Sequence, residues 1–193
     1  MSTPVLHVLA GPNGAGKSTF VSRVLQPTTR LTFVNADEIA AKRWPGDEEA
    51  HAYEASAAAA TLRAELLGEQ RSFIAETVFS HPSKVGLVRD AMAAGYLVSL
   101  HVVMVPVDVT LRRVAYRVTQ GGHTVPPEKV RQRYSRLWPL VAEARAMADR
   151  TTFYDNSRAA APFTVVASYA RGQPLGAAAW PAWAPAVLRD PAG

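Results

Sequence analysis

Two short stretches of the sequence carry residue types that could do chemistry together. The first, GPNGAGKS from Gly11 to Ser18, matches the pattern G-x-x-x-x-G-K-[ST] of a phosphate-binding loop. The second, NADEIA, places Asp37 and Glu38 just after a short apolar segment. The loop predicts a bound nucleotide. A carboxylate so close behind it could bind a metal, activate water or accept a proton from a second substrate.

The loop has the context that such a loop needs, because an apolar strand precedes it and a helical pattern follows. Its backbone N–H groups can turn toward phosphate oxygens, and the helix N-terminus adds partial positive charge. We expect Lys17 to reach the β- and γ-phosphates of ATP, Ser18 to bind Mg²⁺ and Thr19 to touch the α-phosphate. The predicted ATP-binding residues are Gly11, Pro12, Asn13, Gly14, Ala15, Gly16, Lys17, Ser18 and Thr19.

Two carboxylates lie where predicted strands end. Asp37 follows LTFVNA and could take the proton of an acceptor hydroxyl as the γ-phosphoryl group leaves ATP. Its alternative role is to cap a helix beginning EIAAK, which is compatible with catalysis. Glu76 ends SFIAE, where the carboxyl ends of parallel strands converge on a nucleotide. We expect Glu76 to serve the metal or the acceptor, the alternative being an ordinary solvent-facing carboxylate, and Thr77 and His81 to line an acceptor pocket.

Arginines are concentrated between residues 112 and 150. Because phosphoryl transfer spreads negative charge over the migrating group, cations that close over it are expected. A lid of about residues 112–136 is predicted, with Arg117 and Arg133 as functional arginines. The segment QGGHTVPP between them offers glycine hinges and His123 as an acceptor contact. Arg113 and Arg136 are second choices, and most of these arginines could instead form a solvated basic face.

Apolar runs that alternate with helical patterns predict an α/β fold: a mostly parallel sheet of five or six strands flanked by helices. The predicted strands are VLHVLA, LTFVNA, SFIAETVF, YLVSLHVVMV, TTFYDN and FTVVASYA. The predicted helices cover about 17–26, 48–70, 83–94, 108–119 and 127–150, the last bent at Pro139. A single domain over 1–193 is expected, with a tail at about 172–193 that packs onto the body through Trp180 and Trp183.

Composition limits the cellular location and the kinds of partner that we expect for this protein. No apolar run reaches the roughly 18 residues of a membrane span, and the N-terminal segment has the pattern of a core strand rather than of a signal peptide. The absence of cysteine excludes disulfides and thiolate chemistry, and we expect a cytoplasmic protein. The formal charge of +5 is explained by a polyphosphate ligand, and nucleic acid is not the expected partner because no groove-reading motif accompanies the charge.

Transporter-type ATPases and regulatory GTPases are disfavoured, because the sequence lacks the further motifs that accompany the phosphate loop in those classes. A transporter-type ATPase would carry an apolar strand ending in Asp-Glu and a Ser-Gly-Gly signature, and a regulatory GTPase would carry Asn-Lys-x-Asp. None of these is present. A small phosphotransferase is therefore predicted. A nucleotide-binding regulatory protein, or a nucleic-acid-associated one with little turnover, stays open as the alternative.

Several segments together resemble the compact zeta-toxin-like kinases over roughly residues 5 to 157. They are GPNGAGKST, NADEIA, SFIAETVFS, GYLVSLHVVMVP, RVAYRVTQGGHTVPPEKVRQRYSRLW and FYDNS. The resemblance implies a P-loop kinase fold that uses ATP and Mg²⁺, and an antitoxin partner. It also implies a hydroxyl of UDP-N-acetylglucosamine as the phosphoryl acceptor; a nucleoside, a dinucleotide or a free sugar is the alternative.

The same resemblance assigns roles to single residues. Lys17 matches the phosphate-loop lysine of these kinases, Asp37 their catalytic aspartate and Glu76 their strand-end glutamate. Arg117 and Arg133 match their phosphate-binding arginines. The expectation from sequence is thus a kinase in which Asp37 accepts a proton from the second substrate.

Overall fold

One seven-stranded β-sheet forms the centre of the protein in the computed structural model, which describes residues 3–119 and 125–189. Its strands are β1 Val5–Ala10, β2 Thr32–Val34, β3 Phe73–Thr77, β4 Leu97–Met104, β5 Arg150–Asp155, β6 Thr164–Ala170 and β7 Gln173–Pro174. Their order across the sheet is β2-β3-β1-β4-β5-β6-β7. The first five strands in this order run parallel, whereas β6 and β7 are antiparallel to their neighbours. The predicted fold class is confirmed, and the two-residue β7 is one strand more than predicted.

Helices connect and cover the strands. They are α1 Lys17–Phe20, α2 Gln26–Thr29, α3 Ala36–Arg43, α4 Ala52–Gly68, α5 Ser83–Ala93, α6 Val107–Thr119, α7 Pro127–Met147 and α8 Ala186–Arg189. A π-helical turn, Val21–Leu25, joins α1 to α2, so the single helix predicted over 17–26 is wrong. Pro27, in the first turn of α2, has no N–H with which to continue an ordinary α-helical ladder.

Several predicted boundaries shift. α4 begins at Ala52 rather than at residue 48, because residues 46–51 form turns. α7 ends at Met147, since Arg150 already belongs to β5, and it continues through Pro139 without a break.

Residues of the central strand β1 alternate between two apolar clusters, as the two faces of a sheet require. Leu6, Val8 and Ala10 pack into the larger cluster, with residues of α4, α5 and α7. Leu9 packs on the other face against the segment that begins with α1, including Phe20. Four of the six residues of β1 are completely buried, as expected for a parallel strand covered on both faces.

The C-terminal segment packs onto the body, as the sequence predicted. The rings of Trp180 and Phe153 meet edge to face with centroids 5.0 Å apart, and Trp183 packs against the larger apolar cluster. Arg145 is buried beneath α8 and donates to the carbonyl oxygen of Leu188 at 2.9 Å. Within residues 3–119 and 125–189, no helix is long and apolar enough to cross a membrane.

The strand order brings three chain segments to one edge of the sheet. The loop from residue 11 to 16 follows β1, residues 35–37 follow β2, and Glu76 lies near the end of β3, between the other two. Glu76 is in register with Leu9, and Thr77 with Ala10. Because parallel strands end at the same edge, the predicted phosphate loop and both predicted carboxylates lie in one region.

Candidate nucleotide and acceptor site

Close packing behind the loop explains two of its glycines. A Cβ on Gly11 would lie 2.3 Å from the carbonyl oxygen of Val103, and one on Gly16 would lie 2.6 Å from Nδ2 of Asn156. Gly16 also has a φ of +92°, a left-handed conformation that side chains disfavour. The loop is therefore pressed against β4 and Asn156, and neither position can carry a side chain without movement.

Lys17 is almost fully buried at the start of α1. Its Nζ donates to the carbonyl oxygens of Gly11 and Pro12, at 3.0 and 3.1 Å, and lies 3.8 Å from Oε1 of Glu76. Burial lowers the pKa of Lys17; Glu76 and, more weakly, Asp37 oppose this, and Arg117 adds a further lowering. The ammonium group thus feels both predicted carboxylates and a predicted lid arginine, which places all four in one electrostatic environment.

Glu76 connects the loop to the end of β2. Its Oε2 accepts hydrogen bonds from Oγ of Ser18 at 2.9 Å and from Nδ2 of Asn35 at 2.8 Å. Mg²⁺ prefers oxygen ligands and usually takes only one or two from the protein, with nucleotide phosphates and water completing its shell. The Ser18 hydroxyl and the Glu76 carboxylate fit that ion. No cluster of three histidine or acidic residues that could hold a metal exists within the described ranges.

Asn35 caps α3, so the alternative role of Asp37 as the N-cap is wrong. Oδ1 of Asn35 accepts from the backbone N–H groups of Asp37 and Glu38, at 2.7 and 3.3 Å. Both residues can cap a helix, and the strand ends two residues earlier than the sequence indicates, which moves the cap to Asn35. The Asp37 carboxylate is left facing the site, while Glu38 is exposed outside it.

A single cleft of about 900 Å³ contains the loop and most of the predicted side chains. Predicted residues that line it are Asn13, Gly14, Gly16, Lys17, Ser18, Thr19, Asp37, Glu76, Thr77, His81, Arg117 and Arg133. Gly11, Pro12 and Ala15 lie behind the loop surface, from where Gly11 and Pro12 hold Lys17 through their carbonyl oxygens. His123 lies outside the described residues. The site roles of all these residues remain predictions.

The lid arginines differ in what they contact. Arg117 on α6 and Arg133 on α7 line the cleft, whereas Arg136 is exposed outside it. Arg113, a second choice for the lid, instead supports the loop from outside the cleft. Its guanidinium donates to the carbonyl oxygens of Gly14 at 3.1 Å and Asn156 at 2.9 Å.

Four residues of this region escaped sequence reasoning. Asn35 and Asn156 follow β2 and β5, and Nδ2 of Asn156 donates to the carbonyl oxygen of Ala15 at 2.8 Å. The strand-end position that identified Glu76 could have found both asparagines. Arg63 on α4 and Lys84 on α5 also line the cleft. No spacing pattern marks those two, because the packing of α4 beside the start of α5 brings them together.

Comparison with known proteins starts from the sequence family. A family model described as AAA domain matches residues 6–140, which contain the phosphate loop, both strand-end carboxylates and both lid arginines. The chain belongs to the AAA-domain family. No curated protein sequence matches it significantly.

Solved structures with related folds include a complex crystallised with ATP, a toxin–antitoxin system and a shikimate kinase. AvrRxo1-ORF1:ORF2 with ATP superposes with a TM-score of 0.69 at 17% identity, over 90% of this chain and 60% of that chain. A structure from the PezAT toxin–antitoxin system of Streptococcus pneumoniae gives 0.59 and 14%, over 80% and 68%. Shikimate kinase from Acinetobacter baumannii with shikimate gives 0.51 and 21%, over 74% and 80%. This chain spans about 60% of the length of the first of these structures.

At these identities the likeness establishes the fold, which is that of P-loop kinases. The likeness bears on the fold alone, and a zeta-toxin-like activity stays a prediction.

Proposed function

We propose that this protein is an ATP- and Mg²⁺-dependent kinase that transfers the γ-phosphoryl group to a hydroxyl of a small metabolite. The observation that carries this proposal is the shared cleft: Asp37 faces the same 900 Å³ space as the phosphate loop, outside any capping role. A cleft of this size is near the upper end of the range usual for small-molecule sites, which supports room for a second substrate beside the nucleotide.

In this mechanism each residue has a defined part. The loop backbone and Lys17 bind the phosphates, and Ser18 and Glu76 would hold Mg²⁺, which neutralises charge on the phosphate oxygens. Asp37 accepts the proton of the acceptor hydroxyl. The hydroxyl oxygen bonds to the γ-phosphorus, and the bond between the γ-phosphorus and the bridging oxygen breaks, so that ADP leaves. Arg117 and Arg133 stabilise the migrating group.

A UDP-activated amino sugar such as UDP-N-acetylglucosamine is the acceptor we favour, on the resemblance to zeta-toxin-like kinases. Thr77 and His81 line the acceptor side of the cleft, with His123 expected to join them. Two structural neighbours belong to paired systems, AvrRxo1-ORF1:ORF2 and the PezAT toxin–antitoxin system, and this supports an antitoxin as protein partner. We place the reaction in the cytoplasm.

Mass spectrometry of a metabolite panel incubated with protein, ATP and Mg²⁺ tests the proposal. The panel includes UDP-N-acetylglucosamine, nucleosides, dinucleotides and free sugars, and Lys17→Ala is the inactive control. We expect phosphorylated UDP-N-acetylglucosamine from the wild type alone. A different phosphorylated product would keep the kinase and replace the acceptor. No product from any acceptor, with ATP binding confirmed in the same samples, would contradict the proposal and favour a regulatory nucleotide-binding protein.

A further inference from the structure

Two cations face the cleft from helices that carry none of the predicted nucleotide-binding residues. Arg63 on α4 and Lys84 on α5 line the main cleft and also an adjoining cavity of about 440 Å³. No residue of the phosphate loop lines that second cavity, and neither does Asp37 or Glu76. Arg63 and Lys84 therefore mark the junction of the two spaces, on the side where the acceptor rather than ATP would lie.

Neither of these two side chains pairs with a carboxylate in the part of the chain that the structure describes. Within the described ranges, neither forms an ion pair or a side-chain hydrogen bond, and both are partly buried. Burial lowers the pKa of each, and the nearby Arg63 guanidinium lowers the pKa of Lys84 further. Two partly desolvated like charges side by side are unfavourable unless an anion joins them.

The charges of the cleft point the same way. Among the described residues that line the cleft, five carry a cationic side chain: Lys17, Arg63, Lys84, Arg117 and Arg133. Two carry a carboxylate, Asp37 and Glu76. Both carboxylates act on Lys17, and the lid arginines are assigned to the migrating phosphoryl group. Among the described residues that line the adjoining cavity there is one carboxylate, Asp90, which is exposed and forms an ion pair with neither cation. The positive charge of Arg63 and Lys84 is left for another ligand.

The surroundings of the pair supply hydrogen-bond donors suited to an anion. Ser56 and Ser83 line both cavities, but the Ser83 hydroxyl lies 2.9 Å from Nδ1 of His81 and donates to it, so of the two it is Ser56 that offers its hydroxyl proton to an anion. Ser83 is the first residue of α5, an eleven-residue helix whose N-terminus adds partial positive charge beside Lys84. Nδ1 of His81 accepts from the backbone N–H of Ser83 at 3.2 Å, which leaves Nε2 of a neutral His81 as a donor.

We propose that Arg63 and Lys84 form an anion subsite that binds a phosphate or carboxylate group of the acceptor. The acceptor of this kinase is thus an anionic metabolite: one end is bound at this subsite and its hydroxyl is presented to Asp37. That the bound anion belongs to a phosphoryl acceptor rests on the proposed function. The anion subsite does not, because anion binding can be detected without turnover.

Anion binding is measured with the nucleotide site filled. The protein is saturated with a non-hydrolysable ATP analogue and Mg²⁺, and backbone amide signals are followed by NMR as inorganic phosphate is added. Sodium acetate is titrated in a parallel sample, so that phosphate and carboxylate binding are distinguished. The variants are Arg63→Gln and Lys84→Gln. Arg89→Gln is the matched control, since Arg89 also lies on α5 but is exposed and pairs with Glu143.

We expect saturable shifts of the amides around Arg63 and Lys84 with at least one of the two anions. Their apparent Kd should rise about tenfold or more in Arg63→Gln and Lys84→Gln and stay unchanged in Arg89→Gln. Shifts that do not saturate with either anion, or that are equal in wild type and both variants, would overturn the subsite. Binding of the ATP analogue by every variant shows that each has folded.

A second measurement separates failure of the subsite from failure of the kinase. Phosphoryl transfer is compared for matched pairs, UDP-N-acetylglucosamine against N-acetylglucosamine and glucose 6-phosphate against glucose. We expect the anionic member of a productive pair to have a KM at least tenfold lower, with this preference lost in Lys84→Gln. Saturable phosphate binding without any turnover would keep the subsite and reject the kinase. Turnover that is indifferent to acceptor charge would keep the kinase and reject the subsite.

Discussion

At the scale of single residues, Asn35 has two functions at once. Its side-chain oxygen caps α3, and its amide nitrogen donates to Glu76, which also receives the Ser18 hydroxyl. The same residue therefore fixes the helix that carries Asp37 and the carboxylate that faces the phosphate loop. Since Asn35 is almost fully buried, loss of either bond leaves a polar group without a partner.

Two substitutions separate these functions. Asn35→Ala should destabilise the protein by about 1–2 kcal/mol, through loss of the cap, and should also lower kinase turnover. Asn35→Asp keeps a capping oxygen but places a second carboxylate against Glu76, so the amides of Asp37 and Glu38 should stay protected from hydrogen exchange while turnover falls. Wild-type turnover in Asn35→Asp would show that the bond to Glu76 is unimportant.

At the scale of elements, the middle of α6 and the residue that follows β5 support the phosphate loop from outside. Arg113 bonds the carbonyl oxygens of Gly14 and Asn156, and Asn156 bonds that of Ala15. A loop whose N–H groups must point at phosphate has carbonyl groups that point away, and these need donors. The arginine and the asparagine supply them.

Neighbouring arginines on α6 provide a matched test of this support. Arg113→Ala should raise the Kd for ATP about tenfold or more, because hydrogen bonds to a charged group contribute roughly 1.5–3 kcal/mol each. Arg112→Ala should leave it within about twofold, since Arg112 forms only an exposed ion pair with Asp108. Isothermal titration of both variants decides; equal effects would contradict a supporting role specific to Arg113.

Sequence patterns predicted the strands and the loop well because both are local. The run of apolar residues defined β1, and the fixed spacing from Gly11 to Ser18 defined the loop. The cap was considered for Asp37 as its alternative role rather than for Asn35, because two capping residues two positions apart cannot be ranked without the strand end. Arg63 and Lys84 were not predicted, since their proximity depends on how α4 packs beside α5, which no local pattern encodes.

At the scale of the whole molecule, a polar chain crosses the middle of the sheet. Nδ1 of His7 on β1 lies 3.0 Å from Nε2 of His101 on β4, and Nδ1 of His101 lies 3.3 Å from the hydroxyl of Tyr154 on β5. Burial, and then His7, lower the pKa of His101 to about 3, and burial also lowers that of His7. Both histidines belong to central strands of the sheet, β1 and β4.

This pair predicts a pH dependence of stability. Between pH 6.5 and about 3 the unfolded chain binds a proton at His101 that the folded protein does not, so stability falls as the pH is lowered through that range. The slope is up to about 1.4 kcal/mol per pH unit. When urea unfolding is measured from pH 7 to 4, the free energy of unfolding of His101→Phe should depend less steeply on pH than that of the wild type. The exposed His81→Gln should match the wild type; an unchanged slope in His101→Phe would contradict this assignment.

Asp37 is proposed to accept the proton of the acceptor hydroxyl, and the neighbouring carboxylate Glu38 provides the matched control. With the acceptor found in the metabolite panel, the single-turnover rate of phosphoryl transfer and the Kd for ATP are measured for Asp37→Asn and Glu38→Gln. We predict a rate lowered by about 10²-fold or more in Asp37→Asn alone, with ATP affinity nearly intact. Collapse of ATP binding in Asp37→Asn would make Asp37 a metal-binding or structural residue. A rate lowered equally in Glu38→Gln would contradict a catalytic role specific to Asp37.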